Sequence, residues 1–197
     1  MAALATVRRF LWLGAVALGF AFIIAGAYMV SQGLSAKDQV HDTLVAERIT
    51  TSEDASIPKA PVDDAATAES QADIIQAHTL EITEGRPYAQ LGRFLAADGG
   101  DTSDPEKALK GADDKPVPNP VRNTVIQSVS LRTALNLAVM GFKVSDLVIG
   151  MGAFIIVVGA TNVLLTAPLL YWLREGETAP APERKRKVGP AAPFPTG

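Results

Sequence analysis

The two histidines are the first residues to consider for chemistry, because an imidazole can bind a metal ion or exchange a proton near neutral pH. His41 lies between Asp38 and Asp42, whereas His78 has no acidic residue within two positions. A metal site needs three or four converging ligands that are themselves held by hydrogen bonds. The acidic neighbours of His41 have the spacing of ordinary helix-surface charges. We therefore predict a solvated face at His41 and no metal site.

Carboxylates are plentiful, but the sequence gives them no setting for catalysis. The acidic residues in the middle of the chain include Asp63, Asp64, Glu69, Asp73, Glu81 and Glu84. Acid–base catalysis by a carboxylate needs a pocket that shifts its pKa, and no segment nearby predicts such a pocket. Residues 98–104 are rich in Asp but lack the ligand spacing of an EF-hand. We predict no catalytic residue and no metal ligand.

The composition excludes further classes of site and partner. The chain has no cysteine, which excludes disulfides, thiolate zinc sites, iron–sulfur clusters and a lipidated cysteine. A net charge of −3 and a pI near 5.4 give no basic footprint for nucleic acid. We therefore predict no cofactor and no nucleic-acid partner.

Two long apolar segments, Phe10–Val30 and Leu147–Leu173, carry no charged residue. The first has 21 residues, which span roughly 31 Å as a helix at about 1.5 Å per residue. That length matches a bilayer hydrocarbon core of about 30 Å. The second segment is longer than needed, and Pro168 predicts a kink or an early end within it. We predict two transmembrane helices.

A cleaved signal peptide is the alternative interpretation of the first apolar segment. Arg8 and Arg9 form a basic start, and Ala25-Gly26-Ala27 resembles a cleavage site. However, the segment is longer than a usual signal-peptide core and stays apolar through Val30. We expect a retained anchor. The second segment keeps the protein in the membrane in either case.

Charges that flank the two segments predict the orientation. The flanks on the side of the termini are basic and contain Arg8, Arg9 and Arg174. The opposite flanks are balanced and contain Lys37 with Asp38, and Lys143 with Asp146. Positive flanks stay in the cytoplasm. We therefore predict a multi-pass protein of the plasma membrane with both termini in the cytoplasm and the middle of the chain outside.

The predicted fold is an all-α membrane protein with two spans and a mostly helical extracytoplasmic loop. The predicted boundaries are 1–9 for the cytoplasmic N-terminus, 10–30 and 147–173 for the spans, 31–146 for the loop, and 174–197 for a disordered cytoplasmic tail. Apolar residues at helical spacing predict loop helices that begin near Ser35, Asp63 and Val121. Asp63 or Asp64 can cap the second of these helices, and Gly85 can end it. The third is predicted from Val125, Leu131, Leu135, Val139 and Phe142. Residues 98–120 have few apolar side chains, so we expect a flexible loop there.

Small residues that repeat along both apolar segments are the candidates for helix packing. Ala17, Ala21 and Ala25 recur every four positions, and Gly152 and Gly159 are seven positions apart. Small side chains let helix backbones approach closely within a bilayer. We predict that the spans pack on each other or on a partner.

Two polar features of the second span and the tail complete the list of candidates. Asn162 lies near the middle of the second span, where a polar side chain serves a function or forms a helix–helix hydrogen bond. The hydrogen bond is the favoured interpretation. The tail carries the basic cluster Arg184, Lys185, Arg186 and Lys187. This cluster can contact anionic lipid or fix the topology, and both interpretations stay open.

Three stretches of the sequence carry a resemblance to a known family. They are AGAYMVSQGLSAKDQVHDTLVAERITTSEDAS from Ala25, PVDDAATAESQADIIQAH from Pro61 and SLRTALNLAV from Ser130. Over roughly residues 10–160 the chain resembles small actinobacterial two-span membrane proteins of unknown function, some of which carry the label aromatic ring-opening dioxygenase. Such an enzyme needs an iron site of His and carboxylate ligands. Two isolated histidines do not offer that site, so the resemblance implies membership without a mechanism.

The sequence thus leads to an expectation about class more than about activity. We expect a non-enzymatic membrane protein, a scaffold or an accessory subunit of a cell-envelope complex. Its expected partners are the lipid bilayer and either another membrane protein or a second copy of itself. The alternative is an extracytoplasmic sensor or ligand-binding protein, and an enzyme is the least expected class.

Overall fold

A computed structural model describes the backbone of residues 2–178 and the side chains of residues 10–173, and the described chain is mostly helical. The helices are α1 Ala2–Glu47, α2 Ala65–Ile82, α3 Pro120–Thr161, a π-helical turn Asn162–Thr166 and α4 Ala167–Thr178; a 3-10 turn covers Tyr88–Gln90, and the strands are β1 Phe94–Leu95 and β2 Asp101–Thr102. The chain forms two compact units. One contains the residues up to Ile24 and from Ile156 onward, and the other contains Ala25–Ile155.

Two helical segments are long and apolar enough to cross a membrane, Phe10–Glu47 and Pro120–Leu173. Each contains one of the apolar segments recognised in the sequence and extends it with polar residues on the side of the central loop. The predicted helix near Ser35 is therefore the continuation of α1. Helix α1 ends where Arg48 takes a left-handed conformation, with φ of 52°, which an α-helix cannot continue.

Helix α2 begins at a capping box. The Asp64 carboxylate accepts a hydrogen bond of 2.8 Å from the backbone N–H of Thr67, and the Thr67 hydroxyl accepts one of 3.2 Å from the Asp64 N–H. These bonds satisfy donors that a helix start otherwise leaves unpaired. After the helix, Glu84 and Gly85 have positive φ. The sequence correctly predicted this helix, including the cap and the glycine after its end.

The core of the unit Ala25–Ile155 lies where α1, α2 and α3 meet. Its buried side chains come from all three helices and from the connector before α2, and they are Leu44, Val62, Ala68, Ala72, Leu135, Val139 and Phe142. Val40, Ile49 and Ile75 pack against this cluster and are partly buried. Three of the residues, Leu135, Val139 and Phe142, belong to the apolar stripe that predicted α3. Around this core, α2 and the polar parts of α1 and α3 form a small three-helix bundle, which we call the cap.

Residues 91–119 contain short strands and bridges that the prediction of a mostly helical loop with a flexible segment over 98–120 did not include. Strand β1 pairs antiparallel with β2, and single bridges join Ala96 to Ala108 and Lys110 to Pro116. Leu91 and Ala108 are buried within this segment. Few apolar residues were needed because backbone hydrogen bonds between distant residues shape the segment. Those pairings leave no periodic signal in the sequence.

The helix does not end at Pro168, but a π-helical turn precedes this proline in the unit that contains Ile156 and the residues after it. Proline lacks the N–H that would bond to the carbonyl four residues earlier. Directly before it, the Ala167 N–H donates to the Asn162 carbonyl, five residues back. The helix thus widens over Asn162–Thr166 and continues as α4.

Replacing the cap residue of α2 tests how much this helix contributes to the fold. Asp64→Ala should lower the free energy of unfolding by about 1 kcal/mol, because it removes the N-cap hydrogen bond. The N–H of Thr67 lowers the pKa of the Asp64 carboxyl from its usual 3.8. A lowered folded-state pKa stabilises the fold above the unfolded value, so the cap contribution should disappear as the pH falls below about 4.

The matched control is Asp73→Ala, which removes an exposed carboxylate from within the same helix. Thermal unfolding of both variants in mild detergent, followed by circular dichroism at neutral and acidic pH, provides the measurement. Equal effects of the two changes at neutral pH would contradict a specific role for the cap.

Candidate functional site

Close contact between α1 and α3 is the main feature of the unit Ala25–Ile155. A Cβ atom added to Gly152 would lie 2.7 Å from the Gly26 carbonyl oxygen and 2.9 Å from the Val30 amide nitrogen. Such distances are shorter than any ordinary carbon contact. A glycine is therefore required at position 152, because its neighbours are backbone atoms that cannot move aside independently.

The same contact recurs two helical turns away along both helices. A Cβ atom at Gly33 would lie 3.1 Å from the Ser145 carbonyl oxygen and 2.6 Å from a side-chain carbon of Ile149. Beyond it, a Cβ atom at Gly141 would lie 3.0 Å from a Val40 methyl group. Small residues on both helices allow this packing. Dispersion contacts between the close helix surfaces stabilise it.

The other unit shows its own contact between the two apolar segments. A Cβ atom at Gly19 would lie 2.8 Å from the Gly159 carbonyl oxygen, and one at Gly159 would lie 2.6 Å from the Gly19 carbonyl oxygen. Asn162 donates a hydrogen bond of 3.2 Å from Nδ2 to the Ala15 carbonyl oxygen. The rings of Trp12 and Tyr171 meet edge to face, 5.5 Å apart.

The predicted packing residues divide into two groups. Gly152 and Gly159 are buried at the contacts just described, and Asn162 forms an interhelical hydrogen bond. The alanines selected on α1, Ala17, Ala21 and Ala25, are exposed, so their packing on a partner stays a prediction. The basic cluster Arg184, Lys185, Arg186 and Lys187 lies outside the described residues.

Sequence reasoning missed the glycines of α1. Gly19, Gly26 and Gly33 are seven residues apart, which places them on one helix face. Ser145, Gly152 and Gly159 have the same spacing on α3. Comparing the small-residue repeats of the two segments in opposite chain directions would have found the match. The frequent alanines of the first segment obscured it.

Charged side chains join the helices next to the apolar segments. Nζ of Lys37 on α1 lies 2.7 Å from Oδ1 of Asp146 on α3. Nζ of Lys143 on α3 lies 3.4 Å from Oε2 of Glu69 on α2. All four side chains are exposed enough that each pair contributes little stability. These pairs mark the level at which the helix surfaces change from uncharged to charged.

Neither histidine lies in a group that resembles an active site. The ring nitrogen Nδ1 of His41 is 2.7 Å from the Asp63 carbonyl oxygen, and Nε2 of His78 is 2.6 Å from a carboxylate oxygen of Asp54. The His78 hydrogen bond lowers the pKa of Asp54. Within residues 10–173, no three His, Asp or Glu side chains are grouped so that they could hold a metal ion.

Asp101 organises the loop between α2 and α3. It accepts hydrogen bonds from the Arg86 guanidinium at 2.8 Å and from the Gly92 N–H at 2.5 Å, which together hold the pKa of its carboxyl below the usual value. The buried Asn119 donates to the Gly92 carbonyl oxygen and accepts from the Val121 N–H, so it also caps α3. These groups are engaged in shaping the loop.

A cleft opens beside the end of α1. It has a volume of about 340 Å³ and lies between the last turn of α1 and the connector before α2. Its lining includes Leu44, Val45, Arg48, Ile49 and Val62. The size reaches the lower limit of ligand pockets, about 300 Å³. The basic Arg48 and the acidic Asp63 both line the cleft beside several apolar groups.

No protein-family model, curated protein or solved structure matches this chain. The resemblance that the sequence suggests therefore stays a hypothesis, and the geometry of the chain itself carries the functional argument.

The requirement for glycine at position 152 can be tested against a neighbouring glycine. Gly152→Ala should destabilise the protein by about 1–3 kcal/mol, because the added methyl group meets backbone atoms in a packed contact. Gly150→Ala is the control, since a Cβ atom there meets nothing within 4 Å. The control should be neutral or slightly stabilising, because alanine favours helix.

Unfolding of both variants in mixed detergent micelles, monitored by circular dichroism, measures the difference. A stability loss for Gly150→Ala that equals the loss for Gly152→Ala would refute the close-contact interpretation.

Proposed function

We propose that this chain is a two-span membrane protein that acts as a non-enzymatic scaffold or accessory subunit of a cell-envelope complex. In this proposal α1 and α3 cross the plasma membrane, both termini lie in the cytoplasm, and the three-helix cap lies outside. The observation that carries the proposal is the combination of tight glycine contacts between the two long helices with large apolar side chains on their outer faces.

The exposure of the apolar side chains supports a bilayer around these helices. Ile24 on α1 is 69% exposed, and Phe154 on α3 is 67% exposed. Many other large apolar side chains of the two segments are also exposed. Apolar surface of this extent is costly in water but is matched by lipid chains, and the helical hydrogen bonds leave few backbone groups unpaired there.

The distribution of charge supports the orientation. The charged residues nearest each span are basic on the side of the termini, namely Arg8, Arg9 and Arg174. On the opposite side, Lys37 and Lys143 are each followed by an acidic residue within three positions. An excess of Lys and Arg near a span favours the cytoplasmic side. The cap is therefore the part of the chain expected to be translocated to the outside of the membrane.

The polar groups of the cap support a structural role. Ser70 accepts a hydrogen bond from the Ile57 N–H, and Gln71 accepts one from the Ser52 N–H, so both hold the connector against α2. Asp101 and Asn119 shape the next loop in the same way. Buried polar side chains that bind the backbone specify a conformation. A rigid cap of this kind is suited to presenting a surface to a partner.

Reporter fusions test the topology. A reporter enzyme that is active only outside the cytoplasm should be active when inserted at Gly100 and inactive when fused after Gly176. A reporter that is active only in the cytoplasm should give the reverse pattern, which serves as the control. Activity of one reporter at both positions would overturn the two-span arrangement.

Purification tests the accessory-subunit role. The full chain, extracted in mild detergent from its native membrane, should elute with a larger complex at constant stoichiometry over successive columns. An unrelated two-span protein of similar size, carried through the same steps, is the control. Isolation of the chain by itself, without another protein, would contradict the accessory role.

The cleft beside α1 favours a second function, an extracytoplasmic ligand-binding or sensor protein. Arg48 would bind an anionic group there, and Leu44 and Ile49 would contact an apolar portion. This function predicts a small molecule that co-purifies with the chain and is lost on Arg48→Ala. Under the scaffold proposal, the same substitution would leave the stoichiometry of the complex unchanged.

A further inference from the structure

An apolar stripe runs along α3 on a face that no other element of the unit Ala25–Ile155 covers. The stripe consists of Leu137, Met140, Val144, Leu147, Met151 and Phe154, each between 49% and 67% exposed. Successive members are three and four residues apart in alternation. This is the heptad spacing of a helix that packs lengthwise against another helix. We refer to these six residues as the α3 stripe.

The contacts within the chain use the other faces of α3. Val139 and Phe142 enter the three-helix core, while Ser145 and Gly152 face α1. None of these residues belongs to the α3 stripe. The stripe is therefore a separate surface, and the folding of this chain leaves it available.

Lipid can account for only part of the stripe. The ion pairs of Lys143 and Asp146 lie where the uncharged part of α3 ends. Leu137 precedes Lys143 by six residues, which is about 9 Å along a helix. This inference rests on the proposed topology, in which Leu137 and Met140 lie outside the bilayer. Their side chains are 67% and 61% exposed, so they would face water. A contiguous apolar stripe that continues from the proposed span into water is a candidate interaction surface.

We propose that a second copy of this chain covers the α3 stripe, so that two α3 helices pack in parallel across the membrane boundary. Copies inserted into one membrane share their orientation, which makes a parallel pair the natural arrangement. A strict heptad stripe is complementary to itself, because the side chains of one helix fit between those of its copy. The same residues thus meet across a two-fold axis.

The charges near the stripe support a partner surface that carries no free charge, such as the α3 stripe of a second copy. Lys143 pairs with Glu69, and Asp146 pairs with Lys37, within the same chain. A partner on the stripe would therefore not bury an unpaired charge from these residues, which would be costly. A partner selected by charge would require free charges at the rim, and the nearest ones are already neutralised.

The size of the stripe fits a modest dimer. At the observed exposures each of these large side chains presents on the order of 100 Å². Six of them on each of two copies would bury about 1,200 Å², which is the lower limit for a specific interface. Contacts within the bilayer would add packing without a hydrophobic contribution.

Single-cysteine cross-linking in native membranes tests the proposal, because the chain has no cysteine of its own. Met140→Cys should shift the protein from monomer to a disulfide-linked dimer of twice the 20.7 kDa chain mass under mild oxidation. Facing positions of a parallel helix pair meet the Cα separation of a disulfide, about 4.4–6.8 Å. Val45→Cys on α1, which is similarly apolar and 49% exposed, should stay monomeric.

A second pair of variants examines the dimer without cross-linking. Met140→Glu should shift the detergent-solubilised protein from dimer to monomer in light-scattering mass measurements, because it places a charge in the interface. Val45→Glu is the matched control and should leave the dimer intact. Circular dichroism should show the same helix content for both variants, so that loss of the dimer is not caused by unfolding.

The outcomes separate this proposal from the proposed function. A chain that fractionates with the membrane but does not cross-link at Met140 would refute the dimer alone. Cross-linking of Met140→Cys to a different protein would also refute it, and would identify that protein as the occupant of the stripe. Absence of the chain from the membrane fraction would overturn both proposals. Equal cross-linking at Met140 and Val45 would indicate random collision and contradict the specific interface.

Discussion

The backbones of α1 and α3 approach each other so closely that only glycine fits at the points of contact, and the packing of the two helices depends on this approach. At Gly152 the backbone of α3 lies against the carbonyl of Gly26, and a single methyl group would not fit between them. In the proposed membrane topology, a bilayer would give the helices no hydrophobic reason to associate, so their association would depend on shape. Glycine provides that shape at the cost of helix propensity.

The three-helix cap uses a different type of stabilisation. There the side chains of Leu44, Leu135 and Phe142 are buried in a small hydrophobic cluster, and α2 completes it. The cluster has few members for the length of chain that it orders. Capping bonds at Asp64 and Asn119 and side-chain bonds to the backbone supplement the small core. Small domains generally need such additional constraints, because they bury a limited fraction of their surface.

The two proposals use different surfaces of the same helix. One face of α3 carries Ser145 and Gly152 toward α1, and another carries the exposed stripe from Leu137 to Phe154. The first face has small residues and suits close backbone contact. The second has large residues and suits interdigitated side chains. A helix with two such faces can hold its own chain together and still bind a second one.

Many elements of the fold were predictable because their signals are local. The charge-free segments predicted the two long helices, and Asp64 with Gly85 predicted the limits of α2. Helix α3 was predicted from Val125, Leu135 and Phe142 at helical spacing. These signals depend on neighbours within one or two turns, so a single sequence contains them. The structure confirms that the described chain is mostly helical and has two long apolar helices. Insertion of these helices into a membrane stays part of the proposal.

The contacts between distant residues were not predictable in the same way. The sequence suggested Ala17, Ala21 and Ala25 as a packing face, yet the glycines at 19, 26 and 33 make the contacts on α1. Both sets have regular spacing, and only the position of α3 selects between them. The pairing of β1 with β2 and the bonds around Asp101 likewise join residues whose types have no distinctive pattern.

By itself, the sequence determined which segments are apolar, where helices start and stop, and which chemistries its residue types do not provide. These properties follow from side-chain polarity and local backbone preference, which each residue carries wherever it lies. Tertiary structure alone decided which small residues meet, that Lys37 pairs with Asp146, and that the α3 stripe stays uncovered. Such properties depend on distances between helices, and those distances are set by packing of the whole chain.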